Sequence, residues 1–204
     1  MLVENINTTL TGNNKKNEPH DKGWAILEQA TIALVVLFVI VVVLGSLYAL
    51  RTRANVATET ANIQTIITST QSLLKGSDGY TFTSSAKMTG ALIQMGVTPS
   101  GMTVQGDETS GTATLYNAWG GAVTVAPAST SGFNNGFTVT YDKVPQDACI
   151  QIATRISKTG LTNGITLNST AHSDGKVTTE EASTQCKADN GSTGTNKLIF
   201  TING

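Results

Sequence analysis

The sequence predicts an α+β chain in which one long N-terminal helix is followed by a head of short strands and short helices. Three observations predict it. No proline occurs from Trp24 to Lys75, and the residues from Gln29 to Leu50 carry no charge. Within the next stretch, Val56, Ile63, Ile66, Ile67, Thr70 and Leu74 mark one face at helical spacing. Beyond Gly76, β-branched and aromatic runs alternate with Gly, Asn and Ser clusters, the pattern of strands and turns.

The helix, read as residues 24–75, has two unlike halves. Residues 24–50 are apolar all round, whereas residues 51–75 are apolar on one side only. The first pattern suits lipid or a bundle interior, and the second suits packing on a sheet. Fourteen Leu, Ile, Val and Phe residues lie between Ala30 and Leu50. At about −0.3 to −0.6 kcal/mol each they favour membrane insertion by roughly 4 to 8 kcal/mol. Gly76 is a natural helix stop. Gly45 is either a tolerated membrane glycine or a place where the helix loosens.

The junction Lys22-Gly23-Trp24-Ala25-Ile26-Leu27-Glu28 precedes this span. Gly23 before a large apolar residue gives a peptidase a small, flexible residue to grip. Glu28 places a carboxylate where hydrocarbon begins, a position that ordinarily demands a partner. Cleavage after Gly23 would expose an α-amine on Trp24, mostly protonated at neutral pH given a reference pKa of about 7.7 to 8.0. That amine, on a neighbouring copy, is the partner expected for Glu28.

In the head, residues 76–204, a short helix is expected around Ala86–Met95 and strand signals begin at Met102–Val104. Asn117–Gly121 reads as a turn, Ala122–Val125 and Phe137–Tyr141 as strands, and Asp147–Ser157 as a helix with Cys149, Ile152 and Ile156 on one face. Lys197–Ile202 closes the chain as a strand. The polar, Gly-rich stretch from Thr159 to Asn196 is poorly held unless Cys186 pins it to the Asp147–Ser157 helix.

Cys149 and Cys186 have no His or further Cys at metal spacing. They form a disulfide in an oxidising compartment and are two inert thiols otherwise. A loop of this length would stabilise the head by about 3 to 4 kcal/mol in the chain-entropy model. Lys15, Lys16 and Lys22 before the span against Arg51 and Arg53 after it give only a slight bias toward a cytoplasmic leader. With the leader inside, both cysteines reach the compartment where they can pair. The apolar run is too long and too Val-rich for a removable signal, so the span is expected to stay in the mature chain.

Composition argues against several function classes. Lys and Arg balance Asp and Glu after Leu50 with no basic run, so a phosphate-tracking nucleic-acid surface is not expected. Aromatics make up only 5% of the chain, which does not suit a cofactor pocket. His20 lies in the leader, and His172 in Ala-His-Ser-Asp-Gly reads as a solvated turn, leaving no histidine pair for a metal. Asp107-Glu108 and Glu180-Glu181 read as solvated charge, and Gly120-Gly121 as a turn rather than a phosphate loop. Trp119 is either a glycan-stacking or a turn-packing aromatic. No catalytic, cofactor-binding or metal-binding residues are expected, and the chain does not read as an enzyme.

The N-terminal constellation resembles the type IV prepilins: a hydrophilic leader ending in glycine, cleavage before an apolar residue, Glu as the fifth mature residue, and about twenty apolar residues. The long leader Met1–Gly23 and Trp24 in place of Phe match the type IVb pilins. Trp24–Glu28, Asn117-Ala-Trp-Gly-Gly121 and Pro145-Gln-Asp-Ala-Cys149 look most like the major subunits of the thin pili of enteric bacteria. The resemblance implies the pilin fold, with the helix half membrane-embedded and half packed on an antiparallel sheet, and a disulfide-bounded C-terminal region. It also implies cleavage between Gly23 and Trp24 by prepilin peptidase, and polymerisation through Trp24 and Glu28. The partners it implies are other copies of the chain, the inner-membrane assembly machinery and a host-cell receptor. The prepilin would sit in the inner membrane with a periplasmic head before joining an extracellular pilus that serves adhesion, self-association or conjugation. Two other readings stand beside it: a minor pilin or pseudopilin that initiates a filament or secretion pseudopilus, and a signal-anchored periplasmic binding module with an uncleaved N-terminus.

Overall fold

A computed structural model describes residues 21–130 and 133–203, with the side chains of residues 21–29, 47–53 and 130 outside the description. The leader residues 1–20 therefore lie outside the described residues. The chain divides into two compact units, Met1–Tyr48 and Ala49–Gly204.

Helix α1 runs over Asp21–Leu73, 53 residues without interruption. It begins three residues before the expected start at Trp24, inside the expected leader, and stops short of Gly76. Leu74 N–H still donates to Thr70 O at 3.1 Å, after which Gly76 and Gly79 exchange backbone hydrogen bonds of 3.0 and 3.2 Å. Gly79, at φ 83°, lies where a side chain is strained, and its Cα abuts the Asn134 backbone.

In the first unit, every large apolar side chain from Ile32 to Leu44 is exposed, from 49% at Val43 to 71% at Leu34. A Cβ added at Gly45 would meet nothing within 4 Å. Among the described residues, no helix is long and apolar enough to cross a membrane.

The second unit is built on a seven-stranded sheet in the order β1-β2-β3-β4-β7-β5-β6. The strands are β1 (Thr103–Gln105), β2 (Thr114–Tyr116), β3 (Ala122–Thr130), β4 (Phe133–Val144), β5 (Gly164–Leu167), β6 (Thr170–His172) and β7 (Asn196–Asn203). Every neighbouring pair is antiparallel. The C-terminal strand β7 enters between β4 and β5, with Val139 opposite Phe200 and Ile165 opposite the same Phe200. Helices α2 (Ser85–Gln94), α3 (Gln146–Thr159) and α4 (Thr179–Gln185) complete the head.

Alternation places one face of the long strands in the core. Phe137, Val139 and Tyr141 of β4 and Leu198, Phe200 and Ile202 of β7 are buried, while Thr138, Thr140, Ile199 and Thr201 between them are half-exposed. The stripe expected on the helix, Val56, Ile63, Ile66, Ile67, Thr70 and Leu74, is buried throughout, its apolar members in the same cluster. Tyr80 meets Phe137 edge to face with ring centroids 5.0 Å apart. On α3, Cys149, Ile152 and Ile156 share the buried face as expected. Gly160, at φ 67°, ends that helix in the left-handed region.

Two readings of the head need correction. The stretch Thr159–Asn196, pinned through Cys186 as expected, is not a plain loop, because it contains β5, β6 and α4. Ile165 and Leu167 are buried against β7, and Asn168, at φ 57°, turns the chain into β6. His172 is not in a solvated turn: it ends β6, half-buried, with Nε2 2.8 Å from Gln185 Oε1.

The Asn117–Gly121 turn is organised by one side chain. Asn117 Oδ1 accepts from Trp119 N–H at 3.0 Å and Gly121 N–H at 2.9 Å, and its Nδ2 donates to Asp142 O at 2.8 Å. Trp119 is half-buried and packs against the core, the turn-packing role. A Cβ at position 121 would overlap the Asp142 carbonyl oxygen of β4 and crowd Asn117 Nδ2. Because backbone in the middle of a sheet has little room to retreat, Gly121→Ala is expected to destabilise the head by about 3 kcal/mol. Thermal unfolding checks this, and an unchanged melting temperature would show that the turn moves aside freely.

Candidate assembly helix and disulfide-held head

Residues 21–29 continue the helical backbone, so Gly23, Trp24 and Glu28 lie within one unbroken α-helix. The side chains of Trp24 and Glu28 lie outside the described residues. What is described is the apolar surface that follows, with Phe38 67% and Leu37 64% exposed. Such a run of exposed Ile, Leu, Val and Phe leaves a large hydrophobic free energy to be gained from a neighbour or from lipid.

Cys149 and Cys186 form a disulfide, with Cα atoms 6.0 Å apart across 37 positions of sequence. Both cysteines are buried. The bridge ties the first turn of α3 to the residue that caps α4. Gln146 reinforces it: its Nε2 donates to Cys186 O at 3.1 Å and its backbone N–H donates to Asp189 Oδ1 at 2.8 Å.

Beside the bridge, buried Asn196 fills all its hydrogen-bonding capacity. Its Nδ2 donates to Val144 O at 3.1 Å and Lys187 O at 2.9 Å, while its Oδ1 accepts from Lys187 N–H at 2.6 Å and Asn168 Nδ2 at 3.0 Å. Asn168 in turn donates to Gln185 O at 2.8 Å and accepts from Lys197 N–H at 3.0 Å. A fully satisfied buried network of this kind fixes one arrangement of β4, β7, α4 and the β5–β6 hairpin.

In each carboxylate pair singled out in the sequence, one member serves local structure. Asp107 Oδ1 accepts from Thr109 N–H at 2.9 Å and Oγ1 at 2.7 Å, which holds its carboxyl below the usual range. Glu181 and Thr178 form a capping box at the start of α4, and Thr178's backbone and hydroxyl hold the Glu181 carboxyl low in the same way. Among the described residues no group of three His, Cys, Asp or Glu converges as a metal site.

Sequence reasoning missed Glu59, which is fully buried. Its Oε1 accepts from Ala118 N–H at 2.7 Å and its Oε2 from Asn62 Nδ2 at 3.1 Å. The signal was present, since Glu59 stands between Val56 and Ile63 on the apolar stripe of the helix. Burial pushes its carboxyl above the ordinary range, and the hydrogen bonds from Ala118, Asn62 and Tyr141 pull it partly back.

Comparison with known proteins agrees with this architecture. Residues 53–203 match the family model described as PilS N terminal. The crystal structure of a type IVb pilin from Salmonella typhi is 57% identical, with a TM-score of 0.65, over 72% of this chain and 99% of that one. The NMR structure of the type IVb pilin PilS from Salmonella typhi is 56% identical, with a TM-score of 0.52, over 73% of this chain and 96% of that one. No curated protein matches the chain. With the family model spanning residues 53–203 and two solved pilins sharing more than half of the aligned residues over almost their whole length, the chain belongs to the PilS family of type IVb pilins.

Proposed function

We propose that the chain is the major structural subunit of a type IVb pilus, made as a prepilin, cleaved between Gly23 and Trp24 by prepilin peptidase, and polymerised through its N-terminal helix. The observation that carries this reading is the exposed apolar surface of Ile32–Leu44, which no part of the described chain covers. By sequence the charge-free stretch runs from Gln29 to Leu50, long enough to hold the prepilin in the inner membrane with its leader in the cytoplasm and its head in the periplasm. The disulfide supports that placement of the head, because such bonds persist where the compartment is oxidising. In the filament the same surface exchanges lipid for the helices of neighbouring copies, driven by the inner-membrane assembly machinery. The pilus then acts outside the cell in adhesion to a host-cell receptor, self-association or conjugation, through head surfaces such as Ser77–Ser85 and the β5–β6–α4 region.

N-terminal mass analysis of fibres sheared from cells expressing the chain tests this directly. The expected result is a dominant protein beginning at Trp24. An intact Met1 would point to the anchored periplasmic module, and a correctly cleaved but scarce protein to a minor pilin or pseudopilin.

A further inference from the structure

Four Asn-Gly steps occur in the chain, at Asn135, Asn163, Asn190 and Asn203. Such a step is chemically labile, because glycine has no side chain to shield its amide nitrogen from the carboxamide of the preceding Asn. In a folded chain the reaction depends on how that nitrogen and that carboxamide are held. Gly204 lies outside the described residues, which leaves three steps to compare.

Two of them are locked in the sheet. Gly136 is buried within β4, paired with Ala128 on one side and Asn203 on the other, and a Cβ there would stand 2.6 Å from Ile202 O. Gly164 is the first residue of β5, buried and paired with Thr201. Asn163 before it is held at backbone and side chain: its N–H donates to Thr201 O at 2.8 Å, and its Oδ1 accepts from Asn203 N–H at 2.7 Å.

Asn190-Gly191 is open on each of these counts. Asn190 N–H donates to Thr193 O at 3.0 Å and Thr193 N–H returns a bond to Asn190 O at 3.1 Å, so Gly191 and Ser192 form a two-residue turn with Gly191 at φ 61°. All four residues are exposed, and a Cβ on Gly191 would meet nothing within 4 Å. Neither the Gly191 N–H nor the Asn190 carboxamide has a hydrogen-bond partner among the described residues.

We propose that Asn190 is a site of spontaneous deamidation, the step among these three that reacts while the head stays folded. The Gly191 nitrogen attacks Asn190 Cγ. A succinimide closes as the Cγ–Nδ2 bond breaks, and ammonia departs with the Gly191 amide proton. Water then opens the ring. Breaking the bond between Cγ and the ring nitrogen gives aspartate, whereas breaking the bond between that nitrogen and the Asn190 main-chain carbonyl carbon gives isoaspartate, whose backbone is longer by a methylene. Either product sets a carboxylate next to Asp189, whose Oδ1 accepts from the Gln146 N–H at the start of α3. In a fibre built as proposed above, older subunits would differ from new ones in the charge of this surface.

The test is incubation of the oxidised full chain in detergent micelles at mildly alkaline pH, followed by tryptic digestion and tandem mass spectrometry against an unincubated sample. Cleavage after Lys187 and Lys197 releases residues 188–197, in which the exchange of –NH2 for –OH is located at Asn190. An exposed turn opens at little free-energy cost, whereas core strands open at costs approaching that of global unfolding, so modification at Asn190 is expected to run more than about tenfold ahead of Asn135 and Asn163 in the folded chain. In the reduced, urea-unfolded chain the three steps should react at similar rates. Asn190→Gln, whose attack would have to close a larger ring, should lose the modified peptide while melting as the wild type does. Asn190 left intact in the folded chain, Asn135 or Asn163 keeping pace with it there, or an equal lead for Asn190 in the unfolded chain would overturn the proposal. No filament enters the measurement, so it stands or falls separately from the pilus reading.

Discussion

Replacing both Cys149 and Cys186 with Ser is expected to lower the stability of the head by about 4 kcal/mol, the chain-entropy value for the 37-position separation these residues close. For a unit of this size that corresponds to a fall in melting temperature of about 10 °C. The reason lies in what the bridge holds. α4 is seven residues long and buries Ala182 alone, so apolar burial contributes little to keeping it in place. The Asn196 and Asn168 network supplies geometry there, but each of its hydrogen bonds replaces one made to water in the unfolded chain. Without the bridge the unfolded ensemble expands while the folded contacts stay the same. Thermal unfolding of the full chain, with and without reductant, should therefore show the reduced wild type and the double Ser variant melting together, well below the oxidised protein. A loss under 1 kcal/mol would mean that the α3–α4 contacts suffice alone.

The parts legible in the sequence were those with a strong period. The stripe from Val56 to Leu74 has a 3.6-residue repeat over five turns and is buried as read, and the large apolar and aromatic residues of Phe137–Tyr141 and Lys197–Ile202 fall in strands as read. β5 and β6 escaped because they are four and three residues long, and β5 depends as a strand on a partner, β7, more than thirty residues away in the chain, while β6 pairs on β5 alone. Their one local cue was Asn168-Ser169 between Leu167 and Thr170, a two-residue hairpin connection that Asn favours by tolerating positive φ. Glu59 escaped for a different reason. A carboxylate on an apolar stripe contradicts the binary pattern, and the groups that make it tolerable, Ala118 N–H and Tyr141, come from distant parts of the chain that no periodicity connects. The register of Asn196 is likewise a product of tertiary closure, since its partners Val144, Lys187 and Asn168 become neighbours only once β7 is inserted.

Glu28→Ala is expected to leave the chain stably inserted and correctly cleaved but to abolish pili. Removing the carboxylate eases membrane insertion, because a charge near hydrocarbon costs up to about 2.5 to 3.5 kcal/mol at mid-span and less at the edge. The proposed cleavage between Gly23 and Trp24 breaks a bond five residues from position 28, so the new α-amine is expected to form in the variant as well. In a bundle of apolar helices that amine would then be buried without its counter-ion. Leaving one partner of a buried pair alone costs about 3 to 5 kcal/mol. The apolar residues of the span, interchangeable in hydrophobicity along much of Val39–Leu44, offer nothing else that distinguishes one axial register from the next. The proposed pair would therefore act as a register device more than as a source of net stability. Comparing the sheared-fibre and membrane fractions of wild-type and variant cells separates the two effects: the variant should accumulate at Trp24 in the membrane and be missing from the fibres. Normal pilus yield from the variant would sink the Glu28–Trp24 pair as the determinant of register and leave hydrophobic packing of the helices to set it alone.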